Sequence, residues 1–436
     1  MKLPPDRHGL SRHATAFPMP LLDDAFAARQ SPPVRALLPS LLLSLQTALP
    51  VYAQAPPPPL TLDEVMTAAL AANPALAAAR LGRAEAQARG EVARQRPNPE
   101  LAIEESKDYP RDAAVLSVPV ERGGKRQRRI ALAEAQGRSN EAEIARLEAQ
   151  ARNQVRRAYF ALAAAQRRAM EAAELQRLAE SARDAARARF EAGDVPRLDV
   201  LQAELSAAQT ASEADKARGL LAGATADLNA LLRRPLDSPL AVSGLLDAGR
   251  VPPPQAAVDL ALRSSTEFSV LDLGLAQQRA QAELARAEAV PDLTAAAGVT
   301  HYAPPDFTWG WRASLAVPLP LFTRGAQARL EEATLARLQA ERDAAAARVR
   351  GEVWSAAANA EVQRQAYLRY RDEILPRAAE VERLAEDSYR SGQTGLVALL
   401  QSLQSVHDLR LQAVQAGIDY QNALADLERA IGAPLP

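Results

Sequence analysis

The sequence predicts a mainly α-helical fold, written twice along the chain, with β-hairpins that form a membrane β-barrel part. Three observations predict it. First, Arg189-Phe190-Glu191-Ala192-Gly193-Asp194-Val195-Pro196-Arg197-Leu198-Asp199-Val200-Leu201 is echoed by Tyr389-Arg390-Ser391-Gly392-Gln393-Thr394-Gly395-Leu396-Val397-Ala398-Leu399-Leu400. Gly193 and Gly392 stand 199 positions apart, as do Leu201 and Leu400. Second, the stretch from Lys125 to Ala192 holds no proline and one glycine, Gly137, which predicts a helical rod of about 100 Å at 1.5 Å per residue. Third, Phe307, Trp309, Trp311, Ala313, Leu315, Val317 and Leu319 alternate with Thr308, Gly310, Arg312, Ser314, Ala316 and Pro318. That is the period of a strand, at a length near what a tilted strand needs to cross a bilayer.

Composition narrows the function. There is no cysteine, which excludes disulfides, thiolate metal sites and thiol nucleophiles. Four histidines (His8, His13, His301, His407) and four methionines leave no basis for a resident soft-metal site. Charges balance at −1, and no basic block suggests a nucleic-acid partner. No Gly-rich phosphate loop and no paired nucleophile and base occur, so neither a catalytic residue nor a cofactor is expected.

Taken in order, residues 1–55 form an N-terminal extension and export signal. Arg35 precedes the apolar run Ala36 to Leu49, and small residues sit at Ala53 and Ala55. The run is too short to span a bilayer and has the form of a cleaved leader. A first repeat is expected over 56–250. It opens with a helix capped by Thr61 with Glu64, interrupted near Asn73-Pro74, then a β-hairpin over 99–120, a long helix over 125–192 and a helix over 196–232. The second repeat, 251–436, follows the same order: helix, β-hairpin over 291–319, long helix over 325–391, helix over 395–431. The offset between the halves grows from 192 at Pro99/Pro291 to 199 at Pro119/Pro318, so the extra residues fall in the second hairpin. Gly193 and Gly392 then mark sharp tips of helical hairpins, each either a docking tip or a plain loop.

The aromatics of the 307–319 strand gather at one end, as an interfacial girdle does, which marks Phe307, Trp309 and Trp311 as membrane-interface residues. A half-buried strand of a soluble sheet would also alternate. Four strands cannot close a membrane barrel, and open edges in lipid leave backbone groups unsatisfied. Three copies supply twelve strands, so a homotrimer is the simplest closed solution.

These features together resemble the TolC-like outer membrane factors, the exit ducts of Gram-negative export pumps. The resemblance covers about Leu60 to Leu435. It is nearest to the CzcC-type heavy-metal branch, on Pro97-Asn98-Pro99-Glu100-Leu101, Val118-Pro119-Val120-Glu121-Arg122-Gly123-Gly124-Lys125-Arg126, Val317-Pro318-Leu319-Pro320-Leu321-Phe322 and Ile374-Leu375-Pro376. It implies a trimeric α-barrel crossing the periplasm and a 12-stranded β-barrel in outer membrane lipid. It also implies a periplasmic adaptor (membrane fusion protein) coupled to an inner-membrane RND transporter. By this resemblance Gly193 and Gly392 are the tip turns, while Leu198, Val200, Leu201, Leu396, Val397, Leu399 and Leu400 carry adaptor docking and inter-helix packing. Some family members gate cations with two acidic residues at the second tip; those positions here are Ala398 and Gln401. Asp199, followed by Glu204, is therefore the candidate pore constriction, against the plainer reading of a charge favoured at a helix N-terminus. The implied function is passive efflux of heavy-metal cations such as cobalt, zinc or cadmium. A duct for drugs or type I protein secretion, and an exported coiled coil without a pore, are the alternatives.

Overall fold

The computed structural model describes residues 58–107, 112–243, 250–302, 308–319 and 325–435. The expected export segment and Phe307 lie outside the described residues. Helix α1 (Leu62–Ala72) begins with a reciprocal cap: the Glu64 carboxylate accepts the Thr61 N–H at 2.8 Å, and the Thr61 hydroxyl accepts the Glu64 N–H. Asn73 separates it from α2 (Pro74–Arg94) and accepts from Ala75 N–H and Leu76 N–H at 2.9 and 3.1 Å, with Pro74 in the first position, where its missing N–H costs nothing.

Strands β1 (Glu100–Glu105) and β2 (Asp112–Val120) lead into α3 (Lys125–Glu191), a single helix of 67 residues. Helix α4 (Arg197–Leu231) returns alongside it. Helices α5 (Pro254–Ser264) and α6 (Thr266–Glu288), strands β3 (Leu293–Tyr302) and β4 (Thr308–Ala316), and helix α7 (Ala326–Arg369) follow. Helix α7 runs on through one widened π turn, Tyr370–Ile374, into α8 (Leu375–Arg390); α9 (Leu396–Ile431) ends the order. The widened turn ends two residues before Pro376. Proline cannot donate to the helical ladder, and the Leu375 N–H reaches back to the Tyr370 carbonyl instead.

Ion pairs place the helices against one another. Arg80 and Arg83 of α2 meet Glu148 and Glu141 of α3, each at 2.8 Å; Arg286 of α6 meets Glu332 of α7 at 2.7 Å. Arg156 of α3 meets Glu428 of α9 at 2.7 Å. Helix α3 is therefore flanked by α2 and α6 toward the sheet, and by α4 and α9 in the other direction. Alanines dominate the buried positions, and their small side chains let long helices pack closely.

Two apolar cores sit mid-length. One gathers Val65, Ala69, Val155, Tyr159, Leu162 and Leu228; the other gathers Ala257, Phe268, Val353, Ala357, Leu427 and Ile431. Leu228 and Leu427, 199 positions apart, are both fully buried. Beside the first core, Leu60 bridges Val242 in parallel, and the Tyr159 hydroxyl lies 2.9 Å from the Ser243 carbonyl and 3.1 Å from that of Leu60.

The four strands form one antiparallel sheet in the order β1-β2-β3-β4, which leaves β1 and β4 as edges without a further strand among the described residues. No helix among the described residues is long and apolar enough to cross a membrane.

Candidate functional site

The two tips are built alike. At the end of α3, Gly193 has φ +81°; its N–H donates to the Phe190 carbonyl at 2.9 Å, and that of Asp194 donates to Arg189 at 2.8 Å. At the end of α8, Gly392 has φ +71°; its N–H donates to Tyr389 at 3.1 Å, and that of Gln393 donates to Ser388 at 2.8 Å. Each is a Schellman motif, which satisfies the last carbonyls and turns the chain through a left-handed residue. A Cβ at either glycine would meet no atom within 4 Å, so the backbone conformation alone calls for glycine.

The structure brings the two tips together within one chain. Leu396 packs against Ala182, Ala186 and Ala203, with Tyr389 and Leu400 beside it. Leu399 and Leu403 pack against Leu175. The Arg189 guanidinium lies over the Tyr389 ring, 5.9 Å from its centroid. A cleft of about 230 Å³ separates the tips, lined among others by Arg189, Asp199, Tyr389, Gln393 and Leu396. Asp199 thus stands in the first turn of α4, half-buried and facing the second tip.

The seven apolar tip residues divide. Val200, Leu396 and Leu399 are buried between helices of their own chain, and Leu400 is half-buried. Leu198, Leu201 and Val397 are exposed, at 60%, 50% and 42%. Leu205, which sequence reasoning passed over, is exposed at 60%. Its signal was available, because positions 198, 201 and 205 fall on one helical face. Glu204 reaches back across the hairpin to Arg187, with N···O distances of 3.0 and 2.5 Å. Hydrogen bonding to that carboxylate holds the Arg187 guanidinium above its ordinary value. The Glu204 charge is therefore compensated within its own chain.

Above the tips, a second set of charges joins three helices. Arg410 of α9 contacts Glu382 of α8 and lies 3.6 Å from Glu171 of α3, while Arg167 also holds Glu171 at 2.7 Å. His407, one turn before Arg410, is buried. Burial holds its imidazole below the usual value; Asp408, Glu213 and Glu171 oppose that shift, and Arg410 adds to it.

The sheet carries two chemically distinct faces. The register places Leu101, Leu116, Ala297 and Ala313 in one row, and Ile103, Ala114, Val299 and Trp311 in the next. These rows, with Val118, Ala295 and Leu315, form an apolar band without a charge on one face. Ile103, Trp309, Trp311 and Leu315 are 80%, 74%, 82% and 65% exposed. The row at the end of that face, Glu105, Asp112, His301 and Trp309, is where polarity enters. His301 lies 3.4 Å from Asp112 and stacks obliquely on Trp309, with ring centroids 5.0 Å apart. A broad apolar band edged by a polar and aromatic row matches a lipid-facing surface. Among the described residues no group of His, Asp and Glu is arranged to hold a metal ion.

The comparisons with known proteins agree with this architecture. The family model described as "Outer membrane efflux protein" matches residues 65–232 and 257–433, one match in each half. The chain is similar to the cobalt-zinc-cadmium resistance protein CzcC of Cupriavidus metallidurans, with 26% identity over 390 residues, covering 88% of this chain and 93% of that protein. Among solved structures it is similar to CusC (TM-score 0.69, 18% identity, covering 85% of this chain and 92% of that one). It is also similar to the CmeC outer membrane channel of Campylobacter jejuni (TM-score 0.70, 15% identity, 85% of each chain). A third is the outer membrane protein VceC of Vibrio cholerae (TM-score 0.69, 17% identity, covering 86% of this chain and 96% of that one). The chain belongs to the outer membrane efflux protein family, and its place is the outer membrane.

Proposed function

We propose that three copies of this chain close into one duct that conducts heavy-metal cations such as cobalt, zinc and cadmium out of the cell. The observation that carries the duct is the four-stranded sheet, with one exposed apolar face that ends in a single polar row and two edge strands, β1 and β4. In lipid such edges must be paired, and copies joined β4 to β1 satisfy them. The long helices continue the wall as a trimeric α-barrel, and the residues up to about 55 act as the export signal. The exposed tip residues Leu198, Leu201 and Val397 meet a periplasmic adaptor, which links the duct to an inner-membrane RND transporter. Val200, Leu396, Leu399 and Leu400 hold the tip helices together. Asp199 is the better constriction candidate, because Glu204 is already paired with Arg187. The metal cargo is supported by the likeness to a cobalt-zinc-cadmium resistance protein.

Metal and drug susceptibility of a deletion strain tests this reading. Complementation uses the wild-type gene and a Gly193→Pro/Gly392→Pro variant. Sensitivity to zinc, cobalt or cadmium, rescued by wild type and not by the variant, is the expected result. Sensitivity to dyes or antibiotics alone would keep the duct and discard the metal cargo.

A further inference from the structure

We propose that Arg312 and Glu104 form a neutralising ion pair on the lumen wall that limits the cation preference of the barrel, with Glu100 as the charge left over. The inference rests on the duct reading, since the polar face of the sheet becomes a lumen only when copies close.

The register places Glu100, Ala102 and Glu104 of β1, Ala113, Val115 and Ser117 of β2, Thr294, Ala296, Gly298 and Thr300 of β3, and Thr308, Gly310, Arg312 and Ser314 of β4 on one face. Apart from its three charges, this face is small and hydroxylated. Three observations show that it is concave. Arg312 on one edge strand lies 3.6 Å from Glu104 on the other. Three strand spacings amount to about 14 Å along a flat sheet, and side chains that leave a flat sheet at right angles would not close that gap, so the pair fits a sheet curled toward this face. Ala113, Val115 and Thr300, the buried residues of the sheet, all lie on it. Gly298, the direct cross-strand neighbour of Arg312, has no room for a side chain: a Cβ there would stand 2.4 Å from the Ala114 carbonyl oxygen. Between Arg312 and β1 that row carries only Gly298 and Val115, so no side chain larger than valine stands in the way of the guanidinium.

The pair is exposed, at 48% for the Arg312 side chain and 62% for that of Glu104, and exposed pairs add little to stability. What it does is electrical. Rings of charged side chains in a pore set which ions pass. Glu100, Glu104 and Arg312 leave one net negative charge per copy, because Arg312 cancels one of the two carboxylates. Glu100 has no ion-pair partner among the described residues. The wall is therefore mildly cation-preferring and avoids a full double acidic ring, which would hold multivalent cations instead of releasing them.

The test is the potassium-over-chloride permeability ratio, taken from reversal potentials of purified protein in planar bilayers at low salt, where screening is weakest. Wild type is compared with Arg312→Gln, Glu104→Gln and the Glu104→Arg/Arg312→Glu exchange. The expected result is a severalfold rise for Arg312→Gln, a fall toward unity for Glu104→Gln, and a near wild-type value for the exchange. Conducting channels with one ratio in all four proteins would overturn the inference and leave the duct intact. Wild-type protein that never conducts would overturn the duct, and the inference with it.

Discussion

At the scale of the residue, His407 shows how one side chain ties the helical barrel to pH. Its imidazole is buried among α3, α4 and α9, facing Glu171, Glu213, Asp408 and Arg410, and is held below the usual 6.5. The unfolded chain therefore takes up the proton first as pH falls. Stability is full above about pH 6.5, declines below it, and stops declining once the lowered folded value is passed. Assembly measured as heat-resistant oligomer should weaken below pH 6.5, and His407→Gln should flatten that dependence without affecting neutral pH. A dependence that persists in His407→Gln would assign it to other groups. The sequence displayed the histidine and hid its surroundings, because Glu171 and Glu382 reach Arg410 from helices far apart in the chain.

At the scale of the element, the tips separate exposed from packed apolar residues. Leu198, Leu201 and Leu205 share an exposed face of α4, whereas Leu396 and Leu399 are buried against α3. Replacing the three exposed leucines with serine should leave the oligomer and its heat stability unchanged and reduce the proposed metal export at least severalfold. Replacing Leu396 or Leu399 with alanine should instead destabilise the tip by about 2–4 kcal/mol, visible as early protease cleavage near Gly392. If both sets of variants lower stability alike, the exposed face is a packing surface. Much of this element-level structure was legible. The left-handed turns were marked by Gly193 and Gly392, the helix start by Thr61 and Glu64, and α3 by its lack of proline. The division of the seven apolar tip residues was not legible, because it depends on which helix of the other half lies alongside. Nor was the widened turn at Tyr370–Ile374, although Pro376 marked the neighbourhood. The Arg312–Glu104 pair was hidden as well, since it joins the two edges of the sheet and depends on its curl.

At the scale of the whole molecule, the apolar face of the sheet has meaning only in a membrane. Trp311 lies one row deeper than Trp309, which shares its row with His301, Asp112 and Glu105. A cationic residue on the lipid face of a barrel costs about 2–4 kcal/mol at mid-depth and about 0–1 near the interface. Trp311→Arg should therefore reduce the amount of assembled protein in outer-membrane fractions more than Trp309→Arg does. Equal losses would argue against this orientation of the sheet. The alternation that marked the lipid face was visible in β4 from sequence alone, while β1 and β2 became readable only once the register aligned them with it.

A duct of this kind depends most directly on the number of copies that close the sheet. Native mass spectrometry of the protein extracted from outer membranes measures it, with a heated sample as the reference for the single chain. Three copies per particle, falling to one on heating, is the expected outcome. A single chain recovered soluble from the periplasm would contradict it, because the exposed apolar face and the free edges of β1 and β4 would then have no membrane and no partner to satisfy them.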